Sequence, residues 1–192
     1  MSQLTLNARP RVLGDAIPGG AVRDVALVLG GAGLIGIASQ LAIPLPGTPV
    51  PQTMQTLAVL LVGASLGTVR GFAALSVYAV AGIAGVPWFA GAGHGFGGAA
   101  FGYILGFWLS ALVVGRLAEK GATRSPWKTA LIMLAGNAVI YAVGIPWLMA
   151  VAHVGLAKGL ALGLTPFLIG DAVKLAVASG LLPSAWKLTG RR

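Results

Sequence analysis

The chain has 192 residues, of which 57% are hydrophobic and 9% charged, with a formal net charge of +9, and its mean hydropathy is +0.89. A soluble domain carries roughly 25% charged residues, so this chain has too little polar surface to stay monomeric in water. Its 30 glycines follow no collagen period, and the absence of cysteine excludes disulfide scaffolds, thiolate metal sites and thiol nucleophiles.

The reading is a single-domain integral membrane protein, with the lipid bilayer and not nucleic acid as the partner of its basic residues. Residues 1–21 hold no continuous apolar stretch and are expected to be a polar tail, not a cleaved signal peptide. Residues 25–69 and 71–115 each run for 45 residues without Asp, Glu, Lys or Arg. About 20 apolar residues cross the hydrocarbon core, so each run must fold back on itself.

Six spans are expected, over 22–42, 56–67, 68–85, 99–117, 127–151 and 156–182, packed as a compact all-α bundle. After the first, Pro44, Pro46, Pro49 and Pro51 remove donors and fix φ, so that segment is a loop. Arg70 marks the turn between the short second and third spans, and 86–98 is a loop rich in glycine and aromatics. Pro166 is a reason for the sixth span to start late. This divides the chain into a tail (1–21), a transmembrane domain (22–183) and a basic C-terminal tail (184–192).

Orientation follows from the basic residues. Arg9, Arg11, Arg23, Arg70, Arg116, Lys120, Arg124, Lys128, Lys187, Arg191 and Arg192 fall on one side of a six-span chain, 11 of the 13 in all. Both termini are therefore expected in the cytoplasm. The outer side holds Lys158, His94 and His153, with two long uncharged loops. Apolar loops facing water imply packing against each other or against a ligand.

Gly31–Gly36 and Gly93–Gly98 match a dinucleotide-binding glycine pattern, but no acid lies between Asp24 and Glu119 to hold a ribose. Small residues allowing close helix contact in lipid are the better reading of the first. The first span also offers Ala32 and Gly36, one turn apart, either for packing within the bundle or for docking another membrane subunit.

The sharpest signal is Asp171 with Lys174, the two charges in the middle of span 156–182. A lone ion in hydrocarbon costs at least about 2.5–3.5 kcal/mol. Three residues apart on a helix the two share a face and partly neutralise each other. A purely structural pair is replaceable by apolar residues at little loss, so a ligand site is favoured. An acceptor beside a cationic donor suits a small group offering both N–H and C=O. Asn137 and Tyr141 form a second polar stripe on the fifth span, completing this site or bonding a neighbouring backbone. Gln52, Thr53, Gln55 and Thr56 follow the proline loop at the outer mouth. Tyr103, Trp88 and Trp147 are read as interfacial belt residues, and His94 and His153 as surface histidines without metal-ligand spacing. No P-loop, catalytic triad or carboxylate pair is present, and no cofactor or metal is expected.

Four segments together resemble the BioY family, the biotin-specific substrate-binding (S) components of energy-coupling-factor (ECF) transporters. They are the proline-rich run from Pro44 to Leu61, then Gly85 to Gly91, Gly102 to Phe107, and Pro166 to Lys174. The resemblance implies six helices with biotin near the outer face, capped by the loop between the first two spans. It implies that Asp171 accepts the ureido N–H and Lys174 donates to its C=O, with Tyr103, Asn137, Phe89 and Gly91 as further contacts. Gln55 and Tyr141 complete the expected site, and Ala32 with Gly36 the expected docking face. The implied partners are a membrane scaffold subunit and two ATPase subunits, in a prokaryotic cytoplasmic membrane. An S component for another small vitamin, a self-contained secondary transporter, and a homo-oligomer acting without ATPases remain alternatives. A membrane enzyme acting on a lipid lacks the acid, histidine or metal cluster it would need.

Overall fold

The structure, a computed structural model, describes residues 11–189. Arg9, Arg191 and Arg192, counted in the orientation argument, lie outside the described residues. Six helices follow in order: α1 (Ala21–Gln40), α2 (Gln55–Ile83), α3 (Phe101–Glu119), α4 (Pro126–Ala152), α5 (Leu156–Gly163) and α6 (Leu168–Leu188). Between α1 and α2, β1 (Ala42–Ile43) pairs antiparallel with β2 (Gln52–Thr53). Among the described residues, five stretches are long and apolar enough to cross a membrane, the fifth being Leu156–Leu188 with its internal break. The chain is a multi-pass helical membrane protein.

A straight helix the length of α2 would extend about 43 Å, well beyond the ~30 Å hydrocarbon core. It is not straight. Gly67 adopts φ 82° and ψ −174°, outside the helical region, and the chain reverses there. Gln55 Nε2 lies 2.9 Å from the Tyr78 hydroxyl, a pair that a continuous helix would hold about 34 Å apart. Gly63 and Gly71 touch across the turn, where a Cβ on Gly71 would stand 3.1 Å from the Gly63 Cα. The reversal falls where the sequence divides its second and third spans.

The turn is fastened at one end of the bundle. Glu119, at the end of α3, accepts the Thr68 N–H at 2.7 Å, placing a carboxylate at a helix start where its charge is favoured. Gly115 lets α3 approach, since its Cβ would stand 2.6 Å from the Thr68 nitrogen. Arg70 pairs with Asp15 and, at 3.2 Å, with Asp24. This ties a short 3₁₀ turn, Leu13–Ala16, and the start of α1 to the same place. Burial pushes the Asp15 carboxyl up. The Arg70 hydrogen bond and charge, with the Val12 and Arg11 amides, outweigh that and hold it below its ordinary value. Val12 and Trp186 are both buried, so residues on either side of 22–183 join the packed unit.

α3 lies between α2 and α4, α1 packs on α2, and α6 closes against α4 and α2. Glycine permits these approaches: a Cβ on Gly106 would stand 2.8 Å from the Ile140 carbonyl oxygen. Gly31 and Gly36 serve likewise, facing Val62 and Ala74 in one case and Trp88 in the other. This corrects the expected docking face. Ala32 is 1% exposed and Gly36 is buried, so both point into the bundle. Ala26 and Gly30, also one turn apart, lie on the exposed side of α1.

Candidate functional site

At the end of the bundle opposite the Arg70 cluster, the helical path between α5 and α6 is broken. Leu164 leaves helical geometry and Thr165–Phe167 forms a 3₁₀ turn containing Pro166. The Tyr103 hydroxyl donates to the Gly163 carbonyl at 2.8 Å, satisfying an acceptor that the break frees. α6 therefore begins at Leu168, and Asp171 lies in its first turn. The sequence places Asp171 in mid-span, whereas the fold gives it a helix N-terminus, whose partial positive charge offsets burial of a carboxylate.

Three side chains converge there. Lys174 Nζ lies 3.1 Å from Asp171 Oδ1, and both residues are 7% exposed. Tyr141, from α4, donates its hydroxyl to Asp171 Oδ2. Lys174 also reaches the Thr56 hydroxyl of α2 at 3.4 Å. A carboxylate accepts at about four lone-pair positions, so Asp171 retains acceptor capacity after these two bonds.

Asp171 and Tyr141 border a cavity of about 310 Å³, the size range of small-molecule sites. Gln55 and Thr56 complete its polar floor. Phe89, Phe101, Tyr103, Ile104, Phe107, Ile140 and Phe167 form apolar walls. The roof comes from residues 49–53 after the proline turn and from the glycine-rich stretch 93–98, where His94 is the one basic side chain of the lining. The cavity is thus amphipathic, with an anionic acceptor at one end, aromatic sides and an imidazole at the mouth. Its size and lining suit a small molecule.

Of the residues expected at the site, Asp171, Tyr141, Tyr103, Phe89 and Gln55 are brought together around this cavity. Lys174 and Asn137 are not in its lining. They border a separate void of about 10 Å³, with the Lys174 ammonium bonded to Asp171 and Thr56, which both line the cavity. Asn137 Oδ1 is buried there without a hydrogen-bond partner among the described residues. Gly91 forms no wall. Its φ of 68° makes it the pivot of the turn Ala90–Ala92 that follows Phe89. The Tyr103 hydroxyl donates its proton to the Gly163 carbonyl.

Sequence reasoning missed what holds Phe89. The Gln40 amide bonds the Trp88 and Phe89 carbonyls at 3.0 Å each and accepts the Ala92 N–H at 3.0 Å. Ser39 donates to the Trp88 carbonyl, and the Trp88 indole donates to the Tyr78 carbonyl at 2.9 Å. Trp88 and Trp147 are therefore internal ties and not belt residues; the Trp147 indole bonds the Gly98 carbonyl at 2.9 Å. Two polar residues ending an apolar helix, Ser39 and Gln40, were the available signal. His94, read as a surface histidine, lines the mouth.

Fold and cavity define a membrane-embedded protein for a small ligand. The chain belongs to the BioY family, which it matches over residues 6–191. It is 34% identical over 159 residues to a probable biotin transporter BioY of Pyrococcus horikoshii, covering 81% of this chain and 91% of that protein. It is 37% identical over 149 residues to the biotin transporter BioY of Thermotoga maritima, covering 76% and 85% respectively. The fold matches the crystal structure of the S-component for biotin from an ECF-type ABC transporter, with a TM-score of 0.78 and 23% identity. That match covers 86% of this chain and 92% of the other.

Proposed function

We propose that this chain captures biotin and serves its uptake across the cytoplasmic membrane as the S component of an ECF transporter. The observation that carries the reading is a buried carboxylate, Asp171, at the polar floor of a small aromatic-walled cavity. A cyclic urea offers N–H donors to Asp171, while its carbonyl meets the Gln55 and Thr56 side chains. The fused apolar rings fit the walls of Phe89, Tyr103 and Phe167, and the acidic chain runs toward His94. Lys174 holds Asp171 in place. The biotin transporters among the chain's relatives support the same ligand.

Two arms of α2 reversing at Gly67, with α5 and α6 read as one broken span, give six crossings and cytoplasmic termini. The exposed face of α1 at Ala26 and Gly30 is where a membrane scaffold subunit docks, with two ATPase subunits supplying energy. The test is calorimetric titration of biotin into the purified chain in detergent. Saturation near one biotin per chain is expected. A folded preparation that ignores biotin but binds another vitamin would move the reading to that ligand, and silence across a vitamin panel would overturn it.

A further inference from the structure

Where α2, α4 and α6 meet, two buried polar groups are each short of a partner. Lys174 carries three N–H donors and no acceptor. One donor goes to Asp171 Oδ1 at 3.1 Å and one to the Thr56 hydroxyl at 3.4 Å. The third has no protein acceptor among the described residues. Asn137, on α4, is 7% exposed, and its Oδ1 is the buried acceptor without a partner. Such groups are costly in an apolar core, yet no direct hydrogen bond joins the two. Both border the void of about 10 Å³, as does Thr56. That is the smallest space that seats one water molecule, and a buried water takes two to four polar neighbours. Leucine, methionine and alanine side chains make up the rest of the lining.

We infer that one buried water occupies this void, accepting from Lys174 and donating to Asn137 Oδ1, and that Asn137 thereby positions the Lys174–Asp171 pair. Asn137 stands one turn before Tyr141 on α4. Tyr141 holds Asp171 Oδ2 directly, so α4 reaches both members of the pair, the second through the water. The water follows from the protein's own groups. Its bearing on affinity rests on the biotin-binding reading, in which Asp171 meets the ligand.

A crystal structure of the full chain that resolves buried waters should show one within about 2.7–3.2 Å of both Asn137 Oδ1 and Lys174 Nζ. No peak there, or a direct bond between the two side chains, would overturn the inference. Thermal unfolding without ligand gives a second test. Asn137→Leu expels the water and should lower the unfolding temperature by about 2–4 °C, the scale of one lost polar contact in a chain of this size. Asn137→Ala leaves room for the water and should cost less. A dry packing role for Asn137 gives the reverse order, because alanine opens a cavity and leucine fills it. In the background Asp171→Leu with Lys174→Met, Asn137→Leu should cost nothing, since residues acting through one contact are non-additive. An equal fall in both backgrounds would also overturn the inference. Biotin titration of Asn137→Leu should show a loss of about twofold to fivefold. If the parent ignores biotin while the water and the coupling are found, the water stands and the biotin reading falls.

Discussion

Tyr141 and Lys174 hold Asp171 by its two oxygens, the phenol on Oδ2 and the ammonium on Oδ1. The two donors come from α4 and from the next turn of α6, so the carboxylate plane is fixed before any ligand arrives. A fixed acceptor reorganises little on binding, which favours affinity.

Asp171→Asn should weaken biotin binding by at least about tenfold, since a hydrogen bond to a charged group is worth ~1.5–3 kcal/mol. Lys174→Met leaves the carboxylate buried without its counter-ion and should cost stability on the scale of about 3–5 kcal/mol. The double variant Asp171→Leu with Lys174→Met should regain much of that stability and bind no biotin. Thermal unfolding and titration on the same preparations separate the two effects. Recovery of binding in the double variant would remove Asp171 from the site.

Tyr141→Phe keeps the ring and removes the donor. A loss of about fivefold to thirtyfold in affinity is expected, with a smaller loss of stability than Lys174→Met because Asp171 keeps its counter-ion. Asn137→Leu should weaken binding less, because Asn137 borders the small void and not the ligand cavity. The opposite ranking in a titration series would place Asn137 nearer the ligand than the geometry does.

Gly67→Ala should destabilise the fold by about 1–3 kcal/mol, because φ of 82° with extended ψ is nearly exclusive to glycine. Its Cβ would also stand 2.9 Å from Glu119 Oε1. Glu119→Gln should cost about 1 kcal/mol through the weakened helix cap. Both variants should bind one biotin per chain once folded. Denaturation curves with matched titrations check this.

Asp15 gives a pH dependence of known sign. Its folded pKa lies below the ordinary 3.8. The Asp15 contribution to stability is therefore complete above that value and is lost as pH falls through the lowered one. Asp15→Asn should lower the unfolding temperature at neutral pH, and the gap to the parent should close in strong acid. A gap that stays constant down to about pH 2 would show that the Asp15–Arg70 pair is energetically silent.

The two small-residue stripes of α1 make opposite predictions. Ala26→Trp, on the exposed face, should leave biotin binding intact and abolish uptake in cells that depend on external biotin. Ala32→Trp should damage the fold itself, since Ala32 is 1% exposed and has no room to grow. Uptake with Ala26→Trp at the parent level would move the docking surface elsewhere.

Loops and breaks were legible in the sequence because proline, glycine and charge act locally. Arg70 marked the reversal of α2, and the four prolines marked the loop over the cavity. The pair Asp171 and Lys174 stood out because ions in apolar sequence are costly. Which side of a helix faces inward was not legible. In lipid both faces are apolar, so periodicity does not separate Ala32 and Gly36 from Ala26 and Gly30. Nor could spacing tell that Asp171 lines the cavity and Lys174 does not, because that depends on where the break at Leu164 starts α6. The Gln40 tie to segment 88–92 joins residues about fifty apart, and no local pattern announces such a contact.

The proline content of the loop that roofs the cavity, residues 44–53, has an energetic consequence. With proline at 44, 46, 49 and 51, most of its backbone is restrained even when nothing is bound. Little conformational entropy is then surrendered on closing, and the ligand's contacts go into holding it, not into ordering the cap. A cap ordered in advance therefore spends little of a ligand's binding energy on its own folding.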